Sequence, residues 1–228
     1  MREILGRRLQ RLRLVRRGGP SALLDAALTC ATAWQWPVLP GVGLAPGGPA
    51  ARGVRCACPD PDCVVPGAHP LDPGLLAAST DARMVRWWWT NRPAAPLLLA
   101  TGGRAPCAVS LPLGAGAGAL TRLDRMGMRL GPVVATPTRM ALLVAPYSME
   151  RLGELLFVKD RVPSSLRFHG EGGYLPLPPT AAGNGPVRWE RAPLAGSARP
   201  WLPDVEAVVD ALVEASTSAP GGGSRLAY

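Results

Sequence analysis

Three of the five cysteines and one of the two histidines fall in a single short stretch, CACPDPDCVVPGAH, running from Cys56 to His69. Thiolate and imidazole are the donors zinc prefers, and four of them complete a tetrahedron. Cys56, Cys58, Cys63 and His69 therefore form a candidate Cys3His site, although the spacing Cys-x-Cys-x4-Cys-x5-His is not the common pair of Cys-x2-Cys arms. Pro59, Pro61, Pro66 and Gly67 allow the segment to double back on one ion. Four protein ligands leave no open coordination position, so the zinc expected here is structural. The competing reading is an unordered loop with free thiols.

The rest of the chain must supply a frame for that stretch. With 228 residues, 47% of them hydrophobic, it is long enough to fill a real core. The net charge is +9, and Lys159 is the lone lysine among 25 basic residues. Arg2, Arg7, Arg8, Arg11, Arg13, Arg16 and Arg17 stand against Glu3 alone, which marks residues 1–19 as a basic arm. Such an arm is either a phosphate or anionic-surface anchor or a solvated terminus. Pro20 and Asp25 interrupt the apolar stretch behind it, so it does not read as a secretory signal, and no window is apolar enough to span a membrane. A cytoplasmic protein is expected. In a reducing compartment, clustered cysteines point to metal more than to disulfides, whereas Cys30 and Cys107 sit in apolar surroundings as core thiols.

Helix and strand signals alternate along residues 20–215. A helix over residues 21–35 ends at Trp34-Gln35-Trp36, and PVLPGV follows as a short strand. Residues 45–74 are too rich in Gly, Pro and Asp for a core element and make a loop insertion around the cysteines. DARMVRWWWTNRP reads as a capped helix with Met84, Val85, Trp87 and Trp88 on its apolar face. Of the three consecutive tryptophans, core packing with one ring left at the rim is favoured over base stacking. Strands are expected at PLLLATGG, PCAVSLPLG, PVVATP and RMALLVAP, with a helix at AGALTRLDRMGMRLG. SMERLGELL is a short helix, LRFHGEGGYLPLPPT a strand pair around a glycine turn, and WLPDVEAVVDALVEAS a closing amphipathic helix. Residues 216–228 read as a tail.

The order of ALTCATAWQWPVLP, DARMVRWWWTNRP with LLLATG, and GEGGYLPLPPT resembles the N-terminal domain of bifunctional DNA primase-polymerases (prim-pol) over roughly residues 22–212. The cysteine insertion is similar to one carried by a short subgroup of these domains. The resemblance implies an α/β (α+β) fold of the archaeo-eukaryotic primase type, a mixed sheet flanked by helices, with a site for template, nucleotide and Mg2+ or Mn2+. Two-metal chemistry needs carboxylates, and the family pattern places an Asp-x-Asp pair on the strand where Ser110 and Pro112 stand. Its nucleotide-binding histidine would fall near Thr138, Arg139 and Met140, and its third acid near Leu166, Arg167, Phe168 and His169. Asp124 lies mid-helix, and Glu171 is the only acid near these positions.

The expectation is thus a prim-pol-like domain with degenerate catalytic positions, no catalytic residues, and Arg104, Arg139, Arg167 and His169 gathered to hold phosphate of DNA or RNA. A replication factor is a further candidate partner. Two other readings remain open: an active primase or polymerase with atypical or partner-supplied metal ligands, and a protein-binding adaptor without nucleic-acid affinity. Mg2+ or Mn2+ enters only if the domain is active.

Overall fold

The structure is a computed structural model and describes residues 20–45, 55–160, 162–183, 185–194 and 196–217. The basic arm lies outside the described residues, as does the tail beyond residue 217. Helix α1 (Pro20–Leu28) continues through one π-helical turn (Thr29–Ala33) into strand β1 (Val38–Pro40). The Cys/His loop and a short 3-10 turn (Leu75–Ala77) lead to α2 (Ala82–Asn91), β2 (Leu97–Ala100) and β3 (Cys107–Pro112). After α3 (Leu113–Arg125) come β4 (Val133–Ala135), β5 (Arg139–Val144) and α4 (Met149–Phe157). The chain closes with β6 (Arg167–His169), β7 (Tyr174–Pro176), a small β8–β9 pair (Ala181–Ala182, Gly185–Pro186), β10 (Arg188–Arg191) and α5 (Val205–Thr217). Helix α5 thus runs two residues into the segment expected to be tail.

The α/β class is as expected, with the strands in two main sheets, ordered β1-β2-β7 and β10-β4-β5-β3-β6. Every strand pairing in them is antiparallel, so the mixture lies in helices with strands and not in strand direction. Strands β6 and β7 were expected to pair with each other, yet they belong to different sheets. The reason is a long-range contact: Thr101 donates its N–H to the Gly173 carbonyl and its hydroxyl to the Gly170 carbonyl, 2.9 and 2.6 Å. The glycine turn therefore carries the chain from one sheet to the other. Gly102 fits there only as glycine, since its φ is +93° and a Cβ would lie 2.3 Å from the Glu171 Cα.

Side chains alternate across β3, and each face meets its own core. Cys107, Val109 and Leu111 pack with α3, α5, Met140 and Leu142, where Gly116 of α3 leaves room for the Met140 side chain. Ala108, on the opposite face, joins Val134, Ala141 and Leu143 in a second cluster with α1, α2, Leu97 and Leu99. The buried face of α2 is Val85, Trp88 and Trp89; Met84 and Trp87 are exposed. The rim tryptophan is therefore Trp87, and the apolar stripe is turned one residue from the expected one. Asp81 caps this helix by accepting from the N–H groups of Arg83 and Met84. Cys30 and Cys107 are buried core thiols as expected. Among the described residues no helix is long and apolar enough to cross a membrane.

Candidate functional site

The Cys/His loop is tied to the fold at its base. Backbone bridges join Gly43 to Gly67 and Leu44 to Cys56, and the Arg92 guanidinium donates to the carbonyls of Gly41 and Asp72. A Cβ on Gly41 would meet both the Gly67 carbonyl and Leu98 of β2, so the base of the loop covers a fully buried core side chain. The four donor atoms of Cys56, Cys58, Cys63 and His69 lie within 4.8 Å of one another, and these residues can hold a metal ion. Tetrahedral Zn–S and Zn–N bonds of about 2.3 and 2.0–2.1 Å would set a sulfur and a nitrogen donor roughly 3.5 Å apart, and the Cys56 Sγ to His69 Nε2 separation is 3.2 Å. The donor set therefore fits such an ion with a small adjustment.

Neighbouring groups orient the donors. His69 Nδ1 is 2.9 Å from the Pro70 carbonyl, which can only accept, so the proton sits on Nδ1 and the Nε2 lone pair faces the thiols. Burial raises the Cys56 thiol, but hydrogen bonds with the Gly67 and Cys58 backbone and with the Cys58 side chain outweigh it, bringing it down to about 6. The Gly67 N–H donates to Cys56 Sγ at 3.2 Å. Cys63 is pushed the other way, to about 11, by burial and then by its cysteine neighbours.

The second group of candidate residues lies on the five-stranded sheet. In register, Ser110 faces Ala141 of β5 and Arg167 of β6, while Pro112 faces Arg139 and Ala108 faces His169. All of these side chains point to one face, and Arg139 and His169 approach Ser110 along the diagonals. Ser110 is fully buried. Arg139 Nε donates to its Oγ at 3.0 Å, and the Arg139 Nη2 donates to the Ser110 and Ser165 carbonyls at 2.7 and 2.9 Å. His169 Nε2 lies 2.9 Å from the same hydroxyl. Burial, then Arg139 and Arg167, lower the imidazole to about 4, so it is neutral and accepts the Ser110 proton. Arg139 is itself made less basic by burial and then by Arg167.

The structure therefore brings together Ser110, Pro112, Arg139, Arg167 and His169, but not Arg104. Arg104 stands in the turn that enters β3, at the opposite end of the strand from Pro112, and lines a separate cavity of about 620 Å³. Trp34, Gln35, Trp36, Thr80 and Arg199 line it too, a grouping that sequence reasoning missed because Arg199 is far away in the chain. Of the remaining acids, Asp124 pairs with Arg191, and Glu171 is exposed in the glycine turn. Among the described residues no carboxylate bonds to Ser110, Arg139 or His169.

Two antiparallel sheets with flanking helices, a polar cluster around Ser110 and a Cys/His loop make an α/β domain. The chain matches the model of the bifunctional DNA primase/polymerase N-terminal domain over residues 27–205 and belongs to that family. No curated protein and no solved structure matched it.

Proposed function

We propose that this prim-pol domain has exchanged metal-dependent nucleotidyl transfer for nucleic-acid binding and serves as a DNA-associated module of replication in the cytoplasm. The observation that carries this reading is the Ser110 hydroxyl, held between Arg139 and neutral His169 where a carboxylate pair would be needed to fix two divalent ions. A guanidinium in that place repels Mg2+ or Mn2+ and attracts phosphate. Arg167, exposed on the same face, adds a second positive charge toward a ligand. In this reading Cys56, Cys58, Cys63 and His69 hold a structural zinc, and the arginine-rich residues 1–19 are a second phosphate anchor.

The test is a primer-extension assay with Mg2+ and Mn2+ beside a binding assay on the same purified chain. We expect no template-dependent incorporation, together with DNA binding that weakens steeply with salt and weakens further in Arg139→Ala and Arg167→Ala. Incorporation abolished by Glu171→Gln would overturn the reading in favour of an active polymerase. An absence of affinity for DNA or RNA at low salt would favour a protein-binding adaptor.

A further inference from the structure

The 620 Å³ cavity around Arg104 is large enough for a small-molecule ligand and holds none of the residues on the sheet floor. Its wall is built by an irregular helix end. The π-helical turn Thr29–Ala33 delivers Trp34, and Gln35 follows at φ +58°, the only non-glycine with positive φ among the described residues. π turns and left-handed non-glycine residues are costly, persist where the surroundings enforce them, and gather at functional sites. Here the Gln35 amide enforces the turn by donating to the Ala31 and Thr32 carbonyls, at 3.2 and 2.9 Å.

Two cations converge on that wall from distant parts of the chain. Arg104 comes from the turn before β3. Arg199 comes from the loop before α5, which is anchored to the cavity by the Trp34 indole N–H donating to the Ser197 carbonyl at 3.1 Å. Neither arginine is in an ion pair among the described residues, and the lining contains no acid. Half-buried Trp34 and buried Trp36 meet at 4.8 Å between centroids and supply the aromatic part of the wall. Two guanidinium forks and an indole lining one cavity match one chemistry: a planar ring to stack and a phosphate to bind bidentately.

We infer that this cavity is a metal-independent binding site for a ring-bearing phosphate, separate from the Ser110 floor. Arg104 and Arg199 clamp the phosphate and Trp34 stacks the ring. The phosphate can come from a free nucleoside monophosphate or from the terminal nucleotide of a single strand.

Calorimetric titration of the full chain, without added divalent metal, tests this. The probes are nucleoside 5′-monophosphates, the matching nucleosides, inorganic phosphate, and a short 5′-phosphorylated single strand. We expect a monophosphate or the phosphorylated strand to bind at least about tenfold more tightly than nucleoside or phosphate alone; which of the two binds identifies the source. Arg104→Ala and Arg199→Ala should each weaken it roughly 10- to 100-fold, the range for loss of a charge-assisted hydrogen bond. Arg104→Lys should weaken it less, and Arg125→Ala, at an exposed arginine of α3 outside the cavity lining, should leave it unchanged. Because Arg199 is exposed on a loop, its variant keeps the fold and reports on the site alone. No binding at millimolar concentration, equal binding of inorganic phosphate, or loss in Arg139→Ala but not in Arg104→Ala would each overturn the assignment. Failure of DNA binding through Arg139 and Arg167 would leave this result standing, so the two readings fail separately.

Discussion

The Cys/His knot and the floor around Ser110 solve the same problem in opposite ways. Each is a place where polar groups from distant positions must be held in a small volume. In the knot the four donors are all Lewis bases, a set that could hold a cation. On the floor the fixed charge is already cationic: Arg139 donates to the Ser110 hydroxyl and carbonyl, and the His169 imidazole completes the hydroxyl's hydrogen bonds. The contrast teaches that a loop with no core of its own gathers a donor set that could hold an ion, whereas on the sheet the backbone ladder already fixes the geometry of the polar groups.

Removing the metal from the knot should give the largest effect and test the first half of that contrast. Without an ion, the bridges from Gly43 to Gly67 and from Leu44 to Cys56 would lose their anchor, and Leu98 would lose its cover. Chelation, or Cys63→Ser, is expected to cost upwards of about 4 kcal/mol, or roughly 8–16 °C of Tm for a chain of this size. Metal analysis of purified protein should give one zinc per chain, and calorimetry measures the fall. A full Tm in the metal-free protein would break the comparison, because the knot would then be a loop ordered by its backbone alone.

The floor should respond to chemistry and not to chelation. In Ser110→Ala, the Arg139 Nε–H and the His169 Nε2 both lose a partner at a fully buried position. The expected cost is about 2 kcal/mol, or roughly 4–8 °C of Tm. Because the knot and the floor share no hydrogen-bonding partner among the described residues, the deficits from chelation and from Ser110→Ala should add. Strong non-additivity in a two-variant thermal series would show that the sites are one unit.

The knot and the helix-strand order could be read in the chain because each rests on local information. Donor types in a short loop, a cap at Asp81, and the apolar strands PLLLATGG and RMALLVAP all signal within a few residues. The departures came where tertiary contacts decide. The expected hairpin of β6 and β7 is split between two sheets by Thr101, some seventy residues earlier in the chain. The buried face of α2 is set by which side meets α1, so Trp89 is inside and Met84 outside. Arg104 seemed to belong with Arg139 because both flank strands of one sheet. Only the register shows that they stand at opposite ends of β3. The Ser110 network itself had no sequence signal beyond the positions where acids were expected, since the meeting of residues 110, 139 and 169 is a property of strand pairing.

The smallest effect examines whether the floor is as closed as its hydrogen bonds indicate. His169 is held at about 4 by burial, then Arg139 and Arg167, whereas an unfolded histidine titrates near 6.5. Between those values the unfolded chain binds the proton and the folded one does not, so this contribution to stability is present above about pH 6.5 and is lost as pH falls toward 4. From pH 7 to pH 5 the loss should be about 1–2 kcal/mol, reduced by the solvent that reaches a half-buried ring. His169→Gln lacks this titration but keeps the knot, so acid release of metal cancels when the two proteins are compared by denaturant midpoint across the pH range. Arg167→Ala refines the test: its Tm at pH 7 should move little, as for most exposed sites, yet the His169 pKa read by NMR should rise because one cation has gone. A histidine already titrating near 6.5 in the parent protein would mean that water enters between the strands, that the imidazole does not hold the Ser110 proton, and that the floor is open to an incoming cation after all.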